Sequence, residues 1–162
     1  MTTDQQTFLR LAVIDQKKYA DIEKEMGVDR KQLSQWWDEL KDEREQLSKI
    51  RQLWTKKCSE IDFWEFQKWY MTADRKCHYC NINESQIKIL IDKGQIQTKR
   101  LTTRGRTLEI ERREPNKPYD ETDNLVFCCY WCNNAKTDEF TEREFEEIGN
   151  CIAEIWKNRL AD

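Results

Sequence analysis

Two short cysteine pairs show the clearest chemistry in this chain: Cys77-His-Tyr-Cys80 and Cys129-Tyr-Trp-Cys132. A CxxC segment turns two thiolates toward one ion. Four thiolates in a tetrahedral array make a closed structural zinc site. The spacing therefore predicts one structural Zn2+ held by Cys77, Cys80, Cys129 and Cys132. The 48 residues between the pairs exceed what a simple ribbon needs and leave room for an inserted helix and a hairpin. Cys128 competes with Cys129, and the CxxC spacing to Cys132 favours Cys129. Cys58 and Cys151 fall in helical contexts and read as core. The N-terminus, MTTDQQTF, lacks the basic and apolar regions of a signal peptide. A cytoplasmic location follows as an expectation, and there seven cysteines point to metal or redox chemistry before disulfides.

Between and after the pairs runs LEIERREPNKPYDETDNLVFCCYWCNNAKTDEF. Leu108 and Ile110 alternate with Glu109 and Glu111, the pattern of a half-buried strand. Pro115, Asn116, Pro118 and Asp120 make a loop. Asn124 opens a second strand, Leu125-Val126-Phe127, and Cys132-Asn133-Asn134-Ala135-Lys136 begins a helix. Strand, loop, strand and helix pinned by CxxC knuckles describe a ββα-metal unit in a treble-clef zinc scaffold.

This order resembles the zinc-containing HNH endonuclease family over roughly residues 62–148. The resemblance implies a metal-dependent endonuclease that hydrolyses phosphodiester bonds in nucleic acid, double-stranded DNA before RNA. Glu111 matches the acidic ligand of the catalytic ion, Mg2+ or Mn2+, and Asn133 matches the second ligand. Asn124 matches the central Asn that braces the loop, and Lys136 the basic residue of the CNxxK pattern. Arg112 stands where the family has its general-base His. A guanidinium stays protonated at working pH and cannot take a proton from water. The sequence leaves water activation open among Tyr119, Glu114, Asp123 and His78, and gives Arg112 the role of a phosphate clamp. The alternative is a catalytically degenerate HNH-fold DNA-binding or regulatory module.

The elements that must position these groups are mostly helical. Gly and Pro are scarce, at 4 and 2 residues, which disfavours a turn-rich all-β chain. The predicted fold is mainly α with a small β-hairpin, in two domains: 1–57, helical, and 58–162, the zinc-binding HNH-like part. In the first, YADIEKEMGVDRKQLSQWWDEL resembles a bacterial helix-turn-helix module, with Arg30, Lys31 and Gln35 suited to a major groove. Residues 41–57 predict a connector or homodimerisation helix. Phe63, Trp64, Phe66, Trp69 and Tyr70 predict a helix packed on the zinc module. Asn83 with Gln86, and Thr141 with Glu144, mark two further helix starts. Phe145, Ile148, Ile152, Ile155 and Trp156 should face the core.

The net charge of −3 hides strong segregation. Residues 75–113 carry 10 basic and 4 acidic side chains, whereas residues 114–162 carry 5 and 12. Lys99, Arg100, Arg104 and Arg106, with Arg112 and Arg113, therefore predict a local phosphate-facing strip, and Lys136 is expected as a further nucleic-acid contact from the resemblance. No apolar run approaches the ~18 residues of a membrane helix, so no membrane partner is expected.

Overall fold

The computed structural model describes residues 1–97 and 104–161. The predicted contacts Lys99 and Arg100 lie outside the described residues. The chain divides into two compact units, Met1–Ser59 and Glu60–Asp162. None of the described helices is long and apolar enough to cross a membrane.

The first unit is helical. Helix α1 (Thr3–Leu9) begins with a capping box between Thr2 and Gln5 and runs into a π-helical turn, Arg10–Ile14. Helices α2 (Tyr19–Met26), α3 (Arg30–Glu39) and α4 (Lys41–Lys57) follow. The joint between α2 and α3 needs a left-handed residue, and Gly27 supplies it at φ 65°. Asp29 then caps α3 by accepting from the Gln32 backbone N–H at 2.8 Å. Phe8, Leu9, Leu11, Val13, Ile22, Leu33 and Leu40 are the buried core. The Phe8 ring sits among Tyr19, Trp36 and Trp37, with centroids at 6.0, 5.8 and 6.4 Å. Burying this apolar face is what holds such short helices, since helices of this length are marginal alone. The opposite face of α3 leaves Arg30, Lys31 and Gln35 exposed.

The second unit is built on a two-stranded antiparallel hairpin, β1 (Glu109–Arg112) and β2 (Leu125–Cys128). Helix α5 (Phe63–Thr72) precedes it and packs on β2, where Trp69 stacks on Phe127 at 5.1 Å. Phe63 and Phe66 are buried, whereas Trp64 is 42% exposed and is not a core residue. Helix α6 (Glu84–Asp92) starts at the Asn83–Gln86 capping box and buries Ile87 and Leu90. Helix α7 (Tyr130–Lys136) and helix α8 (Glu142–Ala161) close the unit.

Helix α8 starts at Thr141, whose hydroxyl and amide both pair with Glu144. Phe145, Gly149 and Trp156 form its buried line. Ile148 and Ile155 are exposed, as is Cys151, against the expectation of core positions. At about 100° per residue these three fall roughly 80–140° round the helix from the buried line. Cys58, by contrast, is fully buried, and burial pushes its thiol up to about 11.

Candidate metal centre and active site

The first knuckle is a tight turn at the base of the hairpin. An isolated bridge joins Lys76 to Asn83, the Cys77 N–H donates to Ile82 O at 2.8 Å, and Asn81 takes the left-handed conformation at φ 59°. The His78 N–H donates to Phe127 O at 2.8 Å, which fastens the knuckle to β2. The second knuckle is the first turn of α7. Cys129 is its N-cap, with Sγ accepting from the Cys132 N–H at 3.4 Å. Helix α7 thus begins at Tyr130, earlier than the sequence suggested, and Asn133 lies a turn inside it.

These elements bring Cys77, Cys80, Cys129 and Cys132 together, all buried, with their sulfurs within 4.8 Å of one another. Cys80 and Cys129 sulfurs are 3.6 Å apart. Metal–sulfur bonds of about 2.3 Å in a tetrahedron require an edge of about 3.8 Å, so the donor set fits one metal ion. Cys128 stands outside the four, with its sulfur 4.0 Å from Cys77. The Cys77 thiol is held far below its ordinary range, first by its hydrogen-bonding contact with Cys128 and then by its other cysteine neighbours. Cys129 and Cys132 are pushed up by hydrogen bonds within the cluster and by burial. A cation is what lets four such thiols ionise together.

On the hairpin, Glu109 and Glu111 point to one face because strand side chains alternate. Glu111 is buried, at 6% exposure, and accepts a long hydrogen bond from Tyr119 Oη at 3.5 Å. Asn133 Nδ2 donates to Glu109 Oε2 at 2.5 Å, so Asn133 reaches the strand face that carries Glu111 but bonds the carboxylate two residues earlier. Asn124 is buried and braces the loop. Its Oδ1 accepts from the Glu114 N–H at 2.9 Å, and its Nδ2 donates to Pro118 O at 3.2 Å and Glu114 O at 3.4 Å. Its carbonyl accepts from the Arg113 N–H.

Arg112 donates from Nη2 to Asp138 Oδ1 at 2.6 Å and from Nη1 to Lys117 O at 3.2 Å, with its guanidinium 4.8 Å over the Tyr119 ring. Its Nε is buried without a hydrogen-bond partner among the described residues.

The predicted phosphate-facing residues separate. Arg104 is committed to Glu109, with Nε at 2.8 Å from Oε1 and Nη2 at 2.5 Å from Oε2. Arg106 is exposed. Arg113 is paired with Glu142, Nε to Oε1 at 2.8 Å and Nη2 to Oε2 at 3.0 Å. Lys136 is fully buried and cannot present its ammonium to a nucleic-acid surface. Residues 129, 132 and 136 share one face of α7, at i, i+3 and i+7, and that face turns inward with the cysteines. Lys136 Nζ has no hydrogen-bond partner among the described residues.

The sequence did not single out Glu142 or Glu109. Glu142 accepts from Arg113 and pairs with His78 Nε2 at 2.5 Å, joining α8, the end of β1 and the first knuckle. Burial opposes its ionisation, but the bonds from Arg113 and His78 outweigh that and hold its carboxyl below the ordinary range. Beside it opens a cavity of about 240 Å3 lined by Arg113, Lys117, Asn124, Glu114, Glu121, Asp123 and Glu142. Four carboxylates against two cations make it a poor phosphate site.

No family model matches the chain, and no curated protein matches it. Among solved structures it is similar to the rare-cutting HNH restriction endonuclease PacI, described for its perturbation of DNA. The two are 25% identical with a TM-score of 0.48, over 60% of this chain and 66% of that one. Among the described residues the chain is mainly helical, with an antiparallel hairpin, a helix leaving the second knuckle and a buried four-cysteine cluster.

Proposed function

We propose that the chain is a metal-dependent HNH-type endonuclease acting on DNA. The observation that supports it best is the placement of buried Glu111 and of Asn133 against one face of β1, in a hairpin braced by Asn124 and anchored by four buried cysteines. The cysteines suit Zn2+, which closed thiolate tetrahedra favour. Glu111 and Asn133 are the oxygen donors for a hard divalent ion, Mg2+ or Mn2+. Such an ion, when bound, neutralises charge at the scissile phosphate and the leaving 3′-oxygen.

The protein's own groups do the rest. Arg112 offers paired donors to a phosphate, in exchange for Asp138, whose side chain is 79% exposed. His78 is occupied by Glu142. Of the four candidates for handling the water, Tyr119 has its hydroxyl within hydrogen-bond distance of Glu111, and we assign it the task of orienting the water, not of deprotonating it, since the phenol donates its own proton to Glu111. Arg30, Lys31 and Gln35 on α3 are proposed as a further DNA contact. Replacing Arg30 and Lys31 with Glu should weaken binding to all sequences and flatten the salt dependence.

The permanently charged Arg112 supports a second reading, an HNH-fold DNA-binding module without cleavage. Incubation of the purified, zinc-loaded chain with supercoiled plasmid plus Mg2+, Mn2+ or EDTA separates the two. Conversion to nicked or linear plasmid with a divalent ion alone supports the nuclease. Retarded but uncut plasmid supports the binding module.

A further inference from the structure

We propose that Glu109 is a positioning residue that sets which end of the Asn133 amide is offered to the catalytic ion. The proposal rests on the reading of Glu111 and Asn133 as that ion's ligands.

An Asn side chain has an oxygen that can ligate a cation and an NH2 that cannot, and the two differ little in shape. Something must fix the orientation. Glu109 does so by chemistry: an ionised carboxylate only accepts, so the end of Asn133 that meets it must be Nδ2. The 2.5 Å contact between Asn133 Nδ2 and Glu109 Oε2 therefore leaves Oδ1 at the opposite end. Glu109 is itself held. Arg104 grips both of its oxygens, and the Arg104 guanidinium lies 4.9 Å over the ring of Tyr130, in the first turn of α7. Glu109 is only 19% exposed in its side chain, so the pair with Arg104 is shielded on the Glu109 side. The relay Arg104–Glu109–Asn133 thus locks strand β1 to helix α7 at the residue that carries the ligand. Outer groups that orient a metal ligand are typically worth about 10–100-fold in affinity.

The test is Mn2+ binding to the zinc-loaded full chain, read by electron paramagnetic resonance of free Mn2+, with zinc content and circular dichroism checked for every variant. Glu109→Ala should weaken Mn2+ about tenfold or more. Glu109→Gln should weaken Mn2+ as well, because Arg104 claims the Gln oxygen and the Gln NH2 then meets Asn133, so that Nδ2 is no longer fixed at that end. In an Asn133→Asp background, Glu109→Ala should cause no loss, because a carboxylate presents an oxygen at either end. A merely structural Glu109 would weaken both backgrounds alike. The proposal is overturned if Glu109→Ala or Glu109→Gln binds as wild type, or if the loss persists beside Asp at 133. Unchanged Mn2+ binding in both Glu111→Ala and Asn133→Ala would remove the ligand pair itself, and the proposal with it. Weakening in those two variants with Glu109→Ala unaffected removes the proposal alone.

Discussion

Gly149 of α8 meets Tyr79 of the first knuckle at backbone distance: a Cβ on Gly149 would lie 2.8 Å from Tyr79 Cβ and 2.9 Å from Tyr79 O. The helix seats here because residue 149 has no side chain. Phe145, one turn earlier, continues the seat by packing edge-on to the Tyr79 ring at 5.0 Å. Gly149→Ala should therefore push α8 off the knuckle despite improving helix propensity. We expect a loss of about 1–3 kcal/mol in thermal unfolding, the usual cost of overpacking. Stability equal to or above wild type would show that α8 is not held by this contact.

Removing the metal from the cysteine cluster should unfold the second unit. Zinc binding contributes about 10–16 kcal/mol in small zinc domains, more than most domains have to spare. One zinc per chain is expected by metal analysis. A strong chelator, or Cys77→Ser, should abolish the near-ultraviolet circular dichroism of the aromatic residues around the hairpin.

Glu142→Gln should destabilise the protein by about 1–2 kcal/mol at pH 7, because it weakens charge-assisted bonds to Arg113 and His78. The folded carboxyl is lowered from its ordinary value of 4.5. Its contribution is thus fully present above that value and is lost as pH falls through the lowered folded value. Denaturant unfolding at several pH values should show wild type and variant converging in acid. A gap that does not narrow would mean the effect is steric.

Catalysis should be slow beside His-bearing nucleases, because no general base stands at residue 112, a deficit of about 10²–10⁴-fold. Glu111→Ala should abolish plasmid cleavage. Arg112→Ala should impair it, and Arg112→His should raise the rate, since an imidazole titrates near neutrality. Cleavage by Glu111→Ala at the wild-type rate would move the site elsewhere.

Features set by short-range rules were legible in the sequence. The caps at Asn83–Gln86 and Thr141–Glu144 form as their spacing implies, because both partners lie within one turn. Each cysteine pair forms because its CxxC is itself one turn. What was not legible depends on contacts across elements. Alternation places Glu109 and Glu111 on one face, but only the hairpin's approach to α7 decides that Asn133 bonds Glu109. The burial of Lys136 depends on where α7 starts, which the second CxxC does not itself reveal. Once the helix begins at Tyr130, the i, i+3, i+7 relation to Cys129 and Cys132 sends it inward. The exposure of Ile148 and Ile155 follows from the narrow strip that α8 buries, which apolar periodicity alone overstates.

The start of α7 inside the second knuckle sets the cysteine cluster and the proposed reacting site in phase on one rigid rod. Cys132 belongs to the anchoring cluster, and Asn133, the very next residue, belongs to the proposed reacting site. About 1.5 Å of rise and about 100° of rotation separate them. A single residue inserted between the two would preserve every cysteine yet swing Asn133 to another side of the helix. The same step would turn the buried Lys136 outward, so the register of one helical step ties the cysteine cluster, the packing of α7 and the proposed reacting site together.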